Sequence, residues 1–155
     1  MDPITITRSV RIAAVPEVVW NALADADGLA GWLGGAVALD VEAGAAGSII
    51  DPDGTTRQLV VTEIHPSRRL GFVWWDEDRP GDVSSVTITL DRDHDGSRVT
   101  VTETLDPAAA IAGGGLAGRA SALASAEVGD LAARWDARLA RLVGTASVAV
   151  VGIGA

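Results

Sequence analysis

Residues Arg8 to Gly35, RSVRIAAVPEVVWNALADADGLAGWLGG, constrain the fold of this chain more than any other stretch. Just upstream and into it, Ile4, Ile6, Val10 and Ile12 alternate with Thr5, Thr7, Ser9 and Arg11. A period of two predicts a strand with one buried face. Arg8 falls on the apolar side. Pro16 and Glu17 then open a helix, because proline in a first turn gives up no needed N–H and a carboxylate suits the positive end of the helix dipole. Val19, Leu23 and Trp20 supply its apolar stripe, and the helix is expected to stop near Asp25 to Gly28. A second short helix, Leu29 to Leu33, should end at Gly34-Gly35.

Five or six strands follow: Ala36–Glu42, Gly47–Asp51, Thr55–His65, Arg69–Asp76, Val83–Asp91 and Ser97–Leu105. Turn chemistry separates them, as in Asp51-Pro52-Asp53-Gly54, His65-Pro66-Ser67-Arg68 and Asp93-His94-Asp95-Gly96. Short turns between consecutive strands imply an antiparallel meander. Residues 107–126 are rich in Ala, Gly and Ser and predict a flexible loop, either a lid or a linker. Glu127 to Val143 is the clearest helix, with Val128, Leu131, Trp135, Leu139 and Leu142 on one face. Arg138 and Arg141 are read as cations near its negative end. Residues 1–144 are expected to form one domain and 145–155 a tail. A twisted sheet cannot bury its concave face alone, and one long helix of about 26 Å can cover it. The space between them is hard to fill, so an internal cavity for an apolar ligand is expected.

The chain has 155 residues and a net charge of −9, with 21 acidic residues and 12 basic ones, all arginine. A field of that sign repels phosphate backbones and argues against nucleic acid as a partner. With no cysteine, thiolate metal sites, disulfides and cysteine nucleophiles are excluded, which fits a cytoplasmic setting. No leader is expected, since no charged segment precedes an apolar one at the start. The apolar run Ala146 to Ala155 is too short for a membrane span, which needs about 20 residues.

Three segments, SVRIAAVPEVVWNALADADGLAGWLGG, EIHPSRRLGFVWW and VTITLDRDHDGSRVTVTETL, together with Trp135, resemble the START-like, helix-grip superfamily, also called SRPBCC. Within it the resemblance is to the branch named after the activator of the heat-shock chaperone ATPase. It covers roughly residues 4 to 143. It implies an α+β helix-grip fold, a twisted antiparallel sheet of about seven strands around a long C-terminal helix. The superfamily includes lipid and hormone carriers, polyketide aromatase/cyclases, bacterial stress-related proteins and chaperone activators. The glycine-rich 107–126 segment departs from many relatives.

Strand alternation puts Leu70, Phe72 and Trp74 on one face, with Val86, Ile88 and Leu90, and Val99, Val101, Glu103 and Leu105, on the same side of the sheet. Phe72, Trp74, Trp32 and Trp135 are candidate ligand contacts in the cavity, or plain core. Glu103 is an inward carboxylate and needs a partner or a shifted pKa. First and last strands are neighbours in the resembled fold, so an Arg8–Glu103 ion pair is expected there. That pair is either structural or functional, as a polar anchor for ligand or a general acid/base. Trp75 faces outward, as an edge-strand accident or a homodimer contact.

His65 and His94 fall in turns without a second histidine nearby, so no metal site is expected. Asp91 to Gly96 matches half of a calcium loop but has Thr102 where a glutamate ligand is needed, and reads as a hairpin turn. No nucleophile elbow, phosphate loop or dinucleotide fingerprint is present. The expected function is binding of a small apolar or aromatic molecule, with no cofactor. The alternatives are a cyclase/aromatase-like enzyme and a chaperone-activating interaction domain.

Overall fold

The computed structural model describes residues 4–33, 36–38, 42–51, 54–78, 83–105 and 132–144. The expected 107–126 loop, helix residues 127–131 with Val128 and Leu131, and the 145–155 tail lie outside them.

Strand β1 (Ile4–Ile12) leads into helix α1 (Pro16–Ala24) and helix α2 (Ala26–Trp32). Strands β2 (Ala36–Ala38), β3 (Ala46–Ile50), β4 (Thr56–His65), β5 (Arg69–Asp76), β6 (Ser84–Asp93) and β7 (Gly96–Leu105) follow. Residues 132–144 form helix α3. The seven strands make one sheet in the order β1-β7-β6-β5-β4-β3-β2, every pair antiparallel. This is the expected helix-grip architecture. The first and last strands are hydrogen-bonded partners, with Ile4 opposite Leu105 and Ile12 opposite Ser97.

Helix α2 begins three residues earlier than its apolar pattern suggested. Asp25 alone separates the helices: it has extended dihedrals and both ends α1 and precedes α2. Its carbonyl accepts the Leu29 N–H at 2.7 Å. The two helices pack closely at Gly28, where an added Cβ would lie 2.2 Å from the Ala22 carbonyl oxygen. Backbone, not a movable side chain, blocks that position. Gly28→Ala is therefore expected to cost about 2–3 kcal/mol or to shift α2 off the sheet, as measured by urea unfolding and near-ultraviolet circular dichroism.

Two further departures from strict alternation matter for what faces inward. Between Val61 and Glu63 the β4–β5 register slips by one residue at Thr62, so Val61 opposes Phe72 while Glu63 opposes Gly71. The bulge keeps Ile64 on the Leu70 side and sends Glu63 to an ion pair with Arg69 at 2.5 Å. At the other end, Asp93 pairs with Gly96 across a turn in which His94 has φ 57°. The aspartate-rich segment is a hairpin turn, as expected.

The concave face holds the core. Ile49, Leu59, Val61, Leu70, Phe72, Trp74, Val86, Ile88, Val99 and Val101 are buried there. Leu29, Trp32 and Leu33 close it from α2, and Trp135, Leu139 and Leu142 from α3. Trp75 lies on the opposite face beside Gln58 and is half-buried.

Candidate functional site

The interior is divided. Towards α1 the concave face is apolar apart from Ser97, whose hydroxyl donates to the Ala14 carbonyl at 2.6 Å. At the other end, polar side chains from five elements converge on Trp74. Alternation from Ile49 places Asp51 inward just past the end of β3, and alternation from Leu59 places Arg57 inward on β4, opposite Ile49. Ser84 opposes Trp74 from β6, and Glu103 opposes Val86 one strand further on. Helix α3 adds Trp135 and, one turn later, Arg138. Asp51, Ser84, Glu103 and Arg138 are all buried.

Glu103 is the hub of the first half of this cluster. One of its carboxylate oxygens, Oε2, accepts hydrogen bonds from Trp74 Nε1 at 2.7 Å and Ser84 Oγ at 2.6 Å. The other, Oε1, accepts from Trp135 Nε1 at 2.9 Å. Three donors and no facing carboxylate surround it, a setting made for an acceptor-only group. The two indoles that donate also stack on each other, with centroids 5.8 Å apart and planes 29° apart. Phe72 meets Trp74 edge-on at 5.3 Å, and Trp32 meets Trp135 at 6.4 Å. Trp32 is pinned in turn by donating to the Leu23 carbonyl at 3.2 Å.

The second half of the cluster is cationic. Arg57 Nε donates to Asp51 Oδ2 at 2.7 Å, and Arg138 Nη2 donates to Asp51 Oδ1 at 3.3 Å. One carboxylate thus serves two guanidiniums. Arg138 Nε also donates to the Leu33 carbonyl at 3.2 Å, capping the end of α2. Both guanidiniums lie over indole rings: Arg57 is 4.7 Å from the Trp74 centroid, and Arg138 is 5.1 Å from Trp74 and 4.7 Å from Trp135. Burial pushes the Arg138 guanidinium down from its ordinary range; Asp51 and Glu103 pull it back up, while Arg57 pushes it further down. Glu103, Asp51, Arg57 and Arg138 carry two charges of each sign, so the buried group balances only as a whole.

The expected Arg8–Glu103 pair does not form. Arg8 is on the inward face, opposite Val101 on β7, but β1 is the edge strand. Its side chain turns to the flank of α3 and makes a two-pronged contact with Asp136, through Nε at 2.8 Å and Nη2 at 2.5 Å. The two side chains are 43% and 51% exposed. A guanidinium at that edge reaches water and Asp136 at lower desolvation cost than the enclosed Glu103. The hydrogen bond from Arg8 holds the Asp136 carboxyl below the usual carboxylate range. A carboxyl lowered by folding adds stability that is present above its unfolded pKa and lost as pH falls through the folded value. The stability difference between wild type and Asp136→Asn is therefore expected to be small at pH 7 and to shrink on acidification, as the pH falls from the ordinary carboxylate range through the lowered folded value, followed by thermal melts.

Of the expected site residues, Phe72, Trp74, Glu103, Trp32 and Trp135 thus meet in one interior cluster, and Arg8 stands apart. Sequence reasoning passed over Asp51, Arg57, Ser84 and Arg138. Each carried a signal: the first three sit two residues from an inward apolar residue, and Arg138 sits three residues after Trp135.

Beside the aromatic cluster an apolar cleft runs under α2, lined by Leu29, Leu33, Ile49, Leu59, Val61, Leu70 and Phe72, with a volume of about 10 Å³. That is room for roughly one water molecule. Large side chains fill most of the space that curvature alone would leave open. Among the described residues no group of three or more His, Asp or Glu is arranged to hold a metal ion, and no helix is long and apolar enough to cross a membrane.

A twisted seven-strand sheet gripping one C-terminal helix, with its polar groups gathered inside, defines a helix-grip protein of the SRPBCC type. The chain belongs to the family described as "Activator of Hsp90 ATPase homolog 1-like protein", whose model matches residues 13–144. Among solved structures it is similar to DynU16, "a putative protein in the dynemicin biosynthetic locus" (24% identity, TM-score 0.72, 90% of this chain), but spans only 45% of that protein's chain. CalU16 from Micromonospora echinospora is 19% identical with a TM-score of 0.68, over 96% of this chain and 80% of that one. Protein BH1534 from Bacillus halodurans is 30% identical with a TM-score of 0.55, over 66% of this chain and 70% of that one. No curated protein gave a significant match.

Proposed function

We propose that this protein binds a small apolar or aromatic molecule on the concave face of its sheet, under α2 and against Phe72, Trp74 and Trp135. The observation that carries this reading is the wholly apolar cleft under α2, contiguous with the aromatic stack through Phe72. The seven-residue α2 covers the cleft; it has no side-chain N-cap bond, and Arg138 holds the Leu33 carbonyl at its end. Outward movement of α2 enlarges the cleft without breaking a sheet hydrogen bond. A structural neighbour described as part of a biosynthetic locus is consistent with small-molecule chemistry.

A cyclase-like enzyme would need an inward group ready to move protons. Glu103 is the best placed, yet all its donors are protein side chains already engaged. It serves better as the fixed point that orients the two indoles. A chaperone-activating role needs an exposed apolar patch; among the described residues Ile50, 44% exposed, is the large apolar side chain at the surface.

The reading is tested with two bicyclic aromatic probes, 2-naphthamide and 2-naphthoate, titrated by calorimetry and tryptophan fluorescence. Wild type is expected to bind at least one of them saturably, one per chain. Val61→Phe, which fills the cleft, is expected to lose that binding while keeping its near-ultraviolet circular dichroism. Absence of saturable binding to either probe overturns the reading, and so does binding that survives Val61→Phe.

A further inference from the structure

The pair of arginines facing one aspartate carries a more specific conclusion about the ligand. Arg57 and Arg138 stand on different elements, β4 and α3, yet their guanidiniums converge over the same indole, at 4.7 and 5.1 Å from its centroid. Both are largely withdrawn from solvent, with side chains 15% and 5% exposed. Their shared carboxylate partner is Asp51, which takes one N–H from each. The other buried carboxylate, Glu103, is spent on two indole N–H groups and a hydroxyl, and touches neither arginine by a hydrogen bond. With Glu103 counted the cluster is neutral, but Asp51 is the carboxylate that bonds both guanidiniums directly, while Glu103 acts on Arg138 through space. A guanidinium fork is also the side chain best shaped to receive a planar carboxylate.

The location adds the second half of the argument. Arg138 holds the carbonyl of Leu33, and Leu33 and Ile49 both line the apolar cleft. Arg57 pairs with Ile49 across the β3–β4 ladder. The cationic pair thus sits at the rim of the apolar cleft, Arg57 over Trp74 and Arg138 over both Trp74 and Trp135.

Building on the function proposed above, we infer that the ligand is an aromatic or apolar molecule bearing one anionic group, a carboxylate or phenolate, that Arg57 and Arg138 receive. Asp51 is the internal carboxylate that this group replaces or joins. Binding of the anion draws Arg138 away from Asp51, and with it loosens the cap on α2. Recognition of the charged end and opening of the apolar cleft are thereby linked through one side chain.

The test uses the same probe pair at neutral pH, where 2-naphthoate is ionised and 2-naphthamide, of nearly the same shape, is neutral. Wild type is expected to prefer the carboxylate by about tenfold or more, the size of one charge-assisted hydrogen bond. Arg57→Gln should bring the ratio of the two affinities close to one, and Arg57→Lys should keep a preference because the charge remains. Asp51→Asn removes the competing charge and should widen the ratio; its melting temperature should rise more with 2-naphthoate than that of wild type. Equal affinity of wild type for the two probes overturns the inference and leaves the binding function standing. A preference that survives Arg57→Gln also overturns it. Failure of both probes overturns both readings. Should Arg57→Gln not fold, the ratios for Arg57→Lys and Asp51→Asn decide the matter: a widened ratio in Asp51→Asn supports the inference, and a narrowed one sinks it.

Discussion

Replacing Glu103 by Gln is expected to destabilise the protein by about 3 kcal/mol, seen as a melting temperature lower by about 6–12 °C. The substitution is nearly isosteric, so packing is not the cause. Glu103 offers two acceptor oxygens to three donors, Trp74 Nε1, Ser84 Oγ and Trp135 Nε1. A glutamine keeps one acceptor and turns an NH₂ group against whichever donors faced the other oxygen. If its carbonyl stays with Trp74 and Ser84, the indole N–H of Trp135 loses its acceptor inside the core. A buried donor left unsatisfied costs the full desolvation of that group. The substitution also removes one of the two negative charges that hold Arg138 charged. Differential scanning calorimetry, with near-ultraviolet circular dichroism to follow the tryptophans, measures both effects. A melting temperature within 2 °C of wild type would show that the network relaxes around glutamine at no cost.

Arg138→Met is expected to cost about 3–5 kcal/mol, the range for removing one partner of a buried ion pair. Methionine fills similar volume on the faces of Trp74 and Trp135 but leaves the Leu33 carbonyl without its donor and Asp51 with Arg57 alone. Chemical denaturation gives the loss directly. The informative quantity is the double variant Glu103→Gln with Arg138→Met. Both residues meet the same two indoles, and each helps to neutralise the other. The pair should therefore cost less than the sum of the single changes, by an interaction energy of about 1–3 kcal/mol. Strict additivity would mean that the carboxylate and guanidinium are held independently, and that the cluster is two separate structural pairs.

How much of this was legible in the chain follows from the range of each interaction. The strand run from Thr56 to Leu105 could be read within one or two residues, because turn residues and period-two patterning are local properties. The same alternation carried Glu103 and Trp74 to the inward face. It also places Ser84 and Arg57 inward, two residues from Val86 and Leu59. Asp51 reads as turn punctuation in Asp-Pro-Asp-Gly, although Ile49 two residues earlier fixes its side. Arg138 was assigned to the helix dipole. Its neighbours Trp135, Leu139 and Leu142 already marked that face as the buried one, and a long cationic side chain on such a face must find anions inside.

Other features had no local signature. The slip at Thr62 rests on β4 meeting the tight turn before β3, where Val61 exchanges hydrogen bonds with Gly44 and Ala45. Uninterrupted alternation would have put Glu63 in the core beside Val61. The early start of α2 rests on the close approach of Gly28 to Ala22, which is a contact between two helices and not a preference of either. Arg8 lies on the face that alternation predicts, but its partner is Asp136 on α3, which alternation cannot reveal.

By itself, then, the amino-acid order determined the elements, their sequence and, outside the slip at Thr62, which strand side chains point to the concave face, because each depends on periodicity and turn chemistry over a few residues. Only the tertiary structure decided how those inward groups pair. The path of α3 across the sheet brings Trp135 to Glu103, Arg138 to Asp51 and Asp136 to Arg8, across separations of 32, 87 and 128 residues. A buried carboxylate or guanidinium takes the partner that the packing of α3 brings within about 3 Å while sparing it the cost of desolvation. Packing at that distance is set by the whole sheet and helix together.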